Sequence, residues 1–223
     1  GRTGQVAFSP AQQQHTTAAM KAISQLTGIN FVQTSDGNAA QVHLANTNLT
    51  QSPQTSGLCS GQTGYSYVGS TVTAYSAEAY IYLDNAEFAQ HNGNLAPGSH
   101  GYETLLHELG HLLGLKHPFE AVTGNSNTLP TWQDRASNTL MSYDSSYTAY
   151  AQFSPYDVAA LMWLYGGDGL AGKLGATSNA RYLVGTSAAD NLTGTAYDDV
   201  LRGDGGDDFL NGGLGNDTVY FSK

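Results

Sequence analysis

The run His107-Glu108-Leu109-Gly110-His111-Leu112-Leu113-Gly114-Leu115-Lys116-His117 concentrates metal chemistry within eleven of the chain's 223 residues. Two histidines four apart on a helix project from one face, one turn above the other. Both imidazoles therefore reach a single ion at a bond length of about 2.0–2.1 Å. Glu108 follows the first histidine and points near the same face without ligating, where a carboxylate takes a proton from an activated water. Three residues past His111 the helix has to stop. Gly114 accepts the left-handed backbone that turns the chain and brings His117 back as a third ligand. Three protein ligands leave a fourth position open, as catalytic sites do and structural ones do not. A bare His-Glu-x-x-His does arise by accident on core helices; the added glycine and third histidine argue against accident here.

These residues need a helix beneath them, and the pattern places one from about Tyr102 to Leu113. An earlier helix starts at Ser9-Pro10 with Gln12 and carries Ala18, Ala19, Ala22, Ile23 and Leu26 at helical spacing to a stop at Gly28. Strand-like runs follow at Ile29–Val32, Gln41–Leu44, Tyr65–Val68 and Ala79–Leu83, separated by Gly/Ser/Asn-rich turns. Residues 118–153 show no sustained period and read as a long structured loop, a type that is usually functional. Ser154-Pro155 with Asp157 opens a third helix, with Val158, Leu161, Met162 and Tyr165 on its face, ending at Gly166-Gly167. The order predicts an α+β fold, a twisted mixed sheet backed by helices.

The C-terminal region is built differently. A nine-residue repeat starts at Gly185, Gly194, Gly203 and Gly212, with an aspartate at its sixth place (Asp190, Asp199, Asp208, Asp217) and an aliphatic residue at its eighth (Leu192, Leu201, Leu210, Val219). A flexible acidic linker has no need of an aliphatic residue every ninth position. Glycine-rich loops that turn carbonyls inward, with aspartates adding charge, suit Ca²⁺, a hard ion that takes six or more oxygens. The pattern resembles the calcium-binding nonapeptide of the repeats-in-toxin proteins, most closely in the last two units. That resemblance implies a parallel β-roll with Asp190, Asp199, Gly203, Gly205, Asp207, Asp208, Gly212 and Asp217 at the calcium loops. Loop 185 would pair with 203 and loop 194 with 212, for about two ions.

Composition bounds the partners. Hydrophobic residues make up 40% and charged residues 12%, which excludes a disordered chain. Lys plus Arg number 8 against 18 Asp plus Glu, so the net charge of −10 argues against nucleic acid or an anionic membrane. No apolar run is long enough to span a bilayer and no signal-peptide pattern opens the chain. A single cysteine, Cys59, rules out an intrachain disulfide and reads as a small buried hydrophobe rather than a reactive thiol. His15, His43, His91 and His100 have no ligand-like spacing, so one zinc site is expected.

The eleven-residue zinc run resembles the signature of the metzincin peptidases. Within them the chain is similar to the serralysins, secreted bacterial proteases, through three further features: Pro118 after the third histidine, Thr139-Leu140-Met141-Ser142-Tyr143 as a Met-turn, and Phe153-Ser154-Pro155-Tyr156-Asp157 leading to Leu164-Tyr165-Gly166. The resemblance implies a peptidase domain over 1–166, a junction over 167–184 and the roll over 185–223. It implies one Zn²⁺ on His107, His111 and His117, with Tyr143 as a fifth, displaceable ligand that moves to the oxyanion. Met141 would form the apolar floor, Gly114 the supporting turn and Glu108 the general base.

The activity so implied is a zinc-dependent endopeptidase acting on extended polypeptide. The substrate would add as an antiparallel strand to a sheet edge that Gly64–Val68 matches by position. Residues 119–140 would wall the pocket, with Trp132 either lining it or in the core. Further expectations are a small protein inhibitor as partner, a monomer, and secretion to the extracellular space by the type I route. The chain departs from the serralysins in a shorter junction, a roll of four repeats, and Cys59. A calcium-dependent adhesin or binding module on a non-catalytic peptidase fold is the alternative; an intact Glu108 speaks against it.

Overall fold

A computed structural model describes residues 4–50, 54–68, 71–123, 125–144, 148–165, 182–184, 189–194, 196, 198–203 and 206–220. The chain divides into two compact units, Gly1–Ala22 with Phe31–Asp157, and Ile23–Asn30 with Val158–Lys223.

Helix α1 (Pro10–Thr27) begins with a reciprocal cap. Ser9 Oγ accepts from Gln12 N at 3.2 Å, and Ser9 N donates to Gln12 Oε1 at 2.9 Å, so two of the orphan donors at the helix start are satisfied. The first unit's sheet contains β1 (Val42–Thr47), β2 (Gly57–Val68) and β3 (Thr71–Asp84) in the order β1-β3-β2. β1 runs parallel to β3 and β2 antiparallel to it, which makes the sheet mixed. After the four-residue α2 (Ala89–Asn92), α3 (His100–Leu112) packs on β2 and β3. Ser99 caps α3 by accepting from Tyr102 N. Its Leu105, Leu106 and Leu109 are buried, as are Ala79, Ile81 and Leu83 of β3. Among described residues, 118–153 hold no helix or strand, only turns and a Val122–Asn125 bridge. Helix α4 (Pro155–Tyr165) follows.

Two strand expectations need correction. Ile29–Val32 is irregular: it has no partner strand and Val32 is 77% exposed, so β-branched composition alone finds nothing to pair with. Tyr65–Val68 and Ala79–Leu83 are pieces of one long hairpin. Its first arm begins eight residues earlier, at Gly57, in a Gly/Ser/Gln stretch that reads locally as turn.

In the second unit the short strands β4 (Tyr182–Val184), β6 (Val200–Arg202) and β8 (Thr218–Tyr220) form one parallel sheet, and β5 (Asn191–Thr193) and β7 (Phe209–Asn211) another. Leu183 pairs with Leu201, Leu201 with Val219, and Leu192 with Leu210, each eighteen residues along. One coil of the roll is therefore two nonapeptides, and Leu201 is fully buried. The fold is α+β, a mixed sheet packed by helices in the first unit and a short parallel β-roll in the second. Residues 167–181 of the expected junction, with Gly166 and Gly185, lie outside the described residues.

Asp84 closes the end of β3 by accepting from Leu49 N at 2.7 Å, Phe88 N at 2.9 Å and Ala86 N at 3.0 Å. Burial pushes its carboxyl up, but the backbone donors of Phe88, Leu49, Ala86 and Glu87 outweigh burial and hold it below the ordinary 3.8. A carboxyl more acidic folded than unfolded binds fewer protons in the native state. Its stabilisation is thus present above pH 3.8 and drains as pH falls through the folded value. Asp84→Asn is expected to lower Tm at pH 7 and to flatten the loss of stability on acidification. Parallel Tm–pH curves for the two proteins would refute this.

Candidate metal centre

Three ring nitrogens converge on one point. His107 Nε2 lies 3.2 Å from His117 Nε2, and His111 Nε2 lies 3.1 Å from it. The ring centroids stand 4.8 Å (His107–His111), 5.3 Å (His107–His117) and 4.6 Å (His111–His117) apart. Among the described residues these three form the one group of three or more metal-binding side chains. None of the other four histidines joins such a group.

The outer nitrogens explain the aim. His107 Nδ1 donates to Leu140 O at 2.7 Å, and His111 Nδ1 donates to Leu115 O at 2.9 Å. A carbonyl only accepts, so the proton sits on Nδ1 and Nε2 keeps an inward lone pair. Burial pushes the His107 imidazole down to about 4, with the neighbouring His111 and His117 adding to burial and the Leu140 contact opposing it. Burial also lowers His111. Both rings are therefore neutral at physiological pH, the state a metal requires. Zinc fits this donor set: nitrogens at its bond length on tetrahedral directions stand about 3.3 Å apart.

Local sequence delivers the third ring. Gly114 has φ +95°. Leu115 N donates to Gly110 O and Gly114 N to His111 O, both at 3.0 Å, the paired bonds of a Schellman stop. The same turn sets the Leu115 carbonyl on His111. Gly110 serves packing: a methyl there would lie 2.7 Å from Met141 Sδ, so the buried Met141 sits directly against the helix between His107 and His111.

Glu108 is 5% exposed and does not share the histidines' contacts. Burial pushes its carboxyl up to about 8, and a hydrogen bond from the Cys59 backbone works against that rise. It borders a cleft of about 490 Å³ lined by Gly57, Cys59, Gly61, His107, His111 and Tyr143 among others. Tyr143 is 67% exposed, with its ring 4.6 Å from His117 and 5.0 Å from Phe119. Burial, then Glu120 and Glu108, raise its phenol above the ordinary value, so it stays a donor.

Several expectations shift. The edge strand beside the metal centre is the first half of β2, Gly57–Gly61, rather than Gly64–Val68. The cleft is not walled by 119–140: of that segment Phe119 is the residue stacked on His117, at 5.1 Å and 4°. Trp132 neither lines the cleft nor enters the core, being 68% exposed. Cys59 is half-buried, and its thiol is raised to about 11 by burial and then by Glu108, which keeps it unreactive at neutral pH.

Two residues of the site were not singled out in the sequence. Gly57 has no room for a side chain: a methyl would meet Glu108 Oε1 at 2.7 Å, Glu108 Cγ at 2.8 Å and Thr104 Cγ2 at 2.8 Å. Asp157 reads as a helix-start acid, yet its carboxylate also accepts from Thr139 Oγ1 at 2.6 Å, Leu140 N at 2.7 Å and Ser154 N at 3.0 Å. It thereby ties the start of α4 to the turn that offers the Leu140 carbonyl to His107. No local pattern distinguishes either role from a loop glycine or a cap.

In the roll, Asp190 N donates to Asp208 Oδ1 at 3.0 Å and Asp199 N to Asp217 Oδ1 at 2.9 Å. A methyl on Gly194 would run into Gly212 O and lie 2.6 Å from Asp199 Oδ2. Oxygens of loops 194 and 212 thus converge on one small space, a donor set suited to Ca²⁺. Gly203 abuts the Asp208 carboxylate and Gly212 that of Asp217. Asp207 is exposed, and Gly205 lies outside the described residues.

Comparison with known proteins gives two family matches. The model described as metallo-peptidase family M12B, reprolysin-like, matches residues 4–118, just over half of the chain. That of the RTX calcium-binding nonapeptide repeat (4 copies) matches 184–219. Similar curated proteins include Serralysin G of Dickeya chrysanthemi, 29% identical over 175 residues, covering 74% of this chain and 35% of that protein. Metallopeptidase AprA of Pseudomonas marginalis is 26% identical over 215 residues, covering 82% and 43%. Serralysin of Proteus mirabilis is 26% identical over 179 residues, covering 72% and 35%. The chain thus spans less than half the length of these relatives.

Gly57→Ala is expected to destabilise the first unit by about 1–3 kcal/mol through overpacking against Glu108. An unchanged melting temperature would show that Glu108 is not pressed against β2.

Proposed function

Because the chain belongs to the reprolysin-like M12B metallopeptidase family, we propose that it is a serralysin-like zinc endopeptidase in which His107, His111 and His117 hold one Zn²⁺. The observation that carries this reading is the convergence of three imidazoles beside a buried carboxylate outside their group. When bound, zinc supplies Lewis acidity that polarises the scissile carbonyl and generates a nucleophilic water near neutral pH.

The chain's own groups do the rest. Glu108 takes the proton of the attacking water and passes it to the leaving amine. A carboxyl shifted toward neutrality by burial is suited to both transfers. Tyr143, protonated and beside His117, would donate a hydrogen bond to the oxyanion and would help to hold the zinc before substrate arrives. Met141 supports the histidines from beneath. An extended polypeptide adds antiparallel to β2 at Gly57–Gly61, where main-chain groups of the edge strand line the cleft.

The roll would hold about two Ca²⁺, one where loops 194 and 212 meet and one at the 185/203 pair. Weak calcium loops of this kind fill at extracellular rather than cytosolic concentrations, which supports a chain secreted by the type I route and folded outside the cell. No described helix is long and apolar enough to cross a membrane. A monomer with a peptidase domain, a short junction and the roll completes the reading.

Glu108→Gln is expected to reduce casein cleavage by at least about 10²-fold with zinc content unchanged; undiminished cleavage would remove Glu108 from the mechanism. Calcium removal with a chelator selective for calcium over zinc is expected to lower Tm, with the roll losing structure first. Superimposable melting curves with and without the chelator would reject the calcium assignment.

A further inference from the structure

The three imidazoles are not anchored alike. His107 and His111 each donate from Nδ1 to a backbone carbonyl. His117 has no carbonyl; its Nδ1 is buried and lacks an aligned hydrogen bond, and the Glu120 carboxylate Oε2 lies 2.9 Å from it. Once a metal sits on Nε2, the remaining proton of this ring is confined to Nδ1, and Glu120 is the acceptor within reach.

A local device brings Glu120 there. His117-Pro118-Phe119-Glu120 forms a turn closed by Glu120 N donating to His117 O at 3.2 Å, with proline at the position whose φ it presets. The turn folds Glu120 back over the ring three residues before it. Lys116 then grips the turn from its other side. Its ammonium donates to Glu120 O at 2.5 Å, Asn127 O at 2.8 Å and His117 O at 3.3 Å, using all three of its donors. A second strap ties Leu129 N to Pro118 O at 2.8 Å. Lys116 is thus more than a loose surface charge: its half-exposed ammonium bridges three carbonyls of the turn and its neighbour.

From this arrangement we infer that Glu120 is the positioning residue of the third zinc ligand and that Lys116 clamps the turn holding it there. Building on the zinc reading above, the inference adds a negative charge to one ligand alone. Glu120 orients the His117 ring, raises its basicity and offsets part of the metal's charge. Loss of that carboxylate weakens metal retention even though Glu120 touches neither metal nor substrate.

The test is zinc affinity by competition with a chromophoric chelator on the whole chain, with the visible spectrum of the cobalt-substituted protein as the second readout. Glu120→Ala is expected to weaken zinc binding by about 10- to 100-fold and to shift the cobalt bands. Glu120→Gln, which keeps the shape and an acceptor oxygen but not the charge, should fall between wild type and Glu120→Ala. Lys116→Met should weaken binding in the same direction.

Wild-type protein that fails to hold one zinc would overturn the peptidase reading and this inference with it. Wild-type protein that holds zinc tightly, with Glu120→Ala matching it in affinity and in cobalt spectrum, overturns the inference alone. Unchanged affinity in Lys116→Met removes the clamp. Glu120→Gln as tight as wild type while Glu120→Ala is weakened would show that shape rather than charge positions His117, and would overturn the charge role.

Discussion

Three imidazoles aim ring nitrogens at one point only if something outside the cluster controls each ring. That constraint organises the first unit. His107 and His111 are one turn apart on α3, so their spacing comes with the helix, but their tautomers and tilts come from the carbonyls of Leu140 and Leu115. One carbonyl belongs to a turn thirty-three residues downstream; the other belongs to the stop of the same helix. The Schellman bonds at Gly110, His111, Gly114 and Leu115 therefore act twice, ending the helix and presenting an acceptor to the His111 ring.

Asp157 extends this control outward. A buried carboxylate that accepts from Thr139, Leu140 and Ser154 fastens the Met141 turn beneath α3. Burial raises this carboxyl and the three hydrogen bonds work against the rise, the usual balance for a charge kept inside by donors. Glu108 is raised by burial in the same direction, with only the Cys59 backbone donor working against it. It is equally buried but less well served by donors, so its proton affinity moves toward neutrality. Two buried acids in one unit thus acquire different tasks from their hydrogen-bond partners rather than from their chemistry.

The second unit solves a different problem with repetition. Strands of three residues bury too little to stand alone, and stacking them in register eighteen residues apart collects the aliphatic positions into two lines, one per sheet. The same register stacks the loops, so that carboxylates and carbonyls of neighbouring turns converge. A bound cation would offset the mutual repulsion of those oxygens.

Much of this was legible from residue order because it rests on short-range geometry. The i, i+4 spacing of His107 and His111, the glycine stop at Gly114, the Ser9–Gln12 cap and the nine-residue period all act within a turn or a repeat, and local chemistry decides them. What residue order left open depends on partners far along the chain. Ile29–Val32 has strand composition but nothing to pair with. Gly57–Gly64 has turn composition yet pairs with β3, and its first half borders the cleft. Gly57 reads as a loop glycine until Glu108 occupies the space its side chain would need, and Asp157 reads as a helix cap until the Met141 turn arrives to be held. The sequence by itself determined which atoms are available to bind a metal and to move a proton. Only the tertiary structure decided which carbonyls, carboxylates and strand edge surround them, because hydrogen bonds and close packing between distant segments are set by where the folded backbone brings them together.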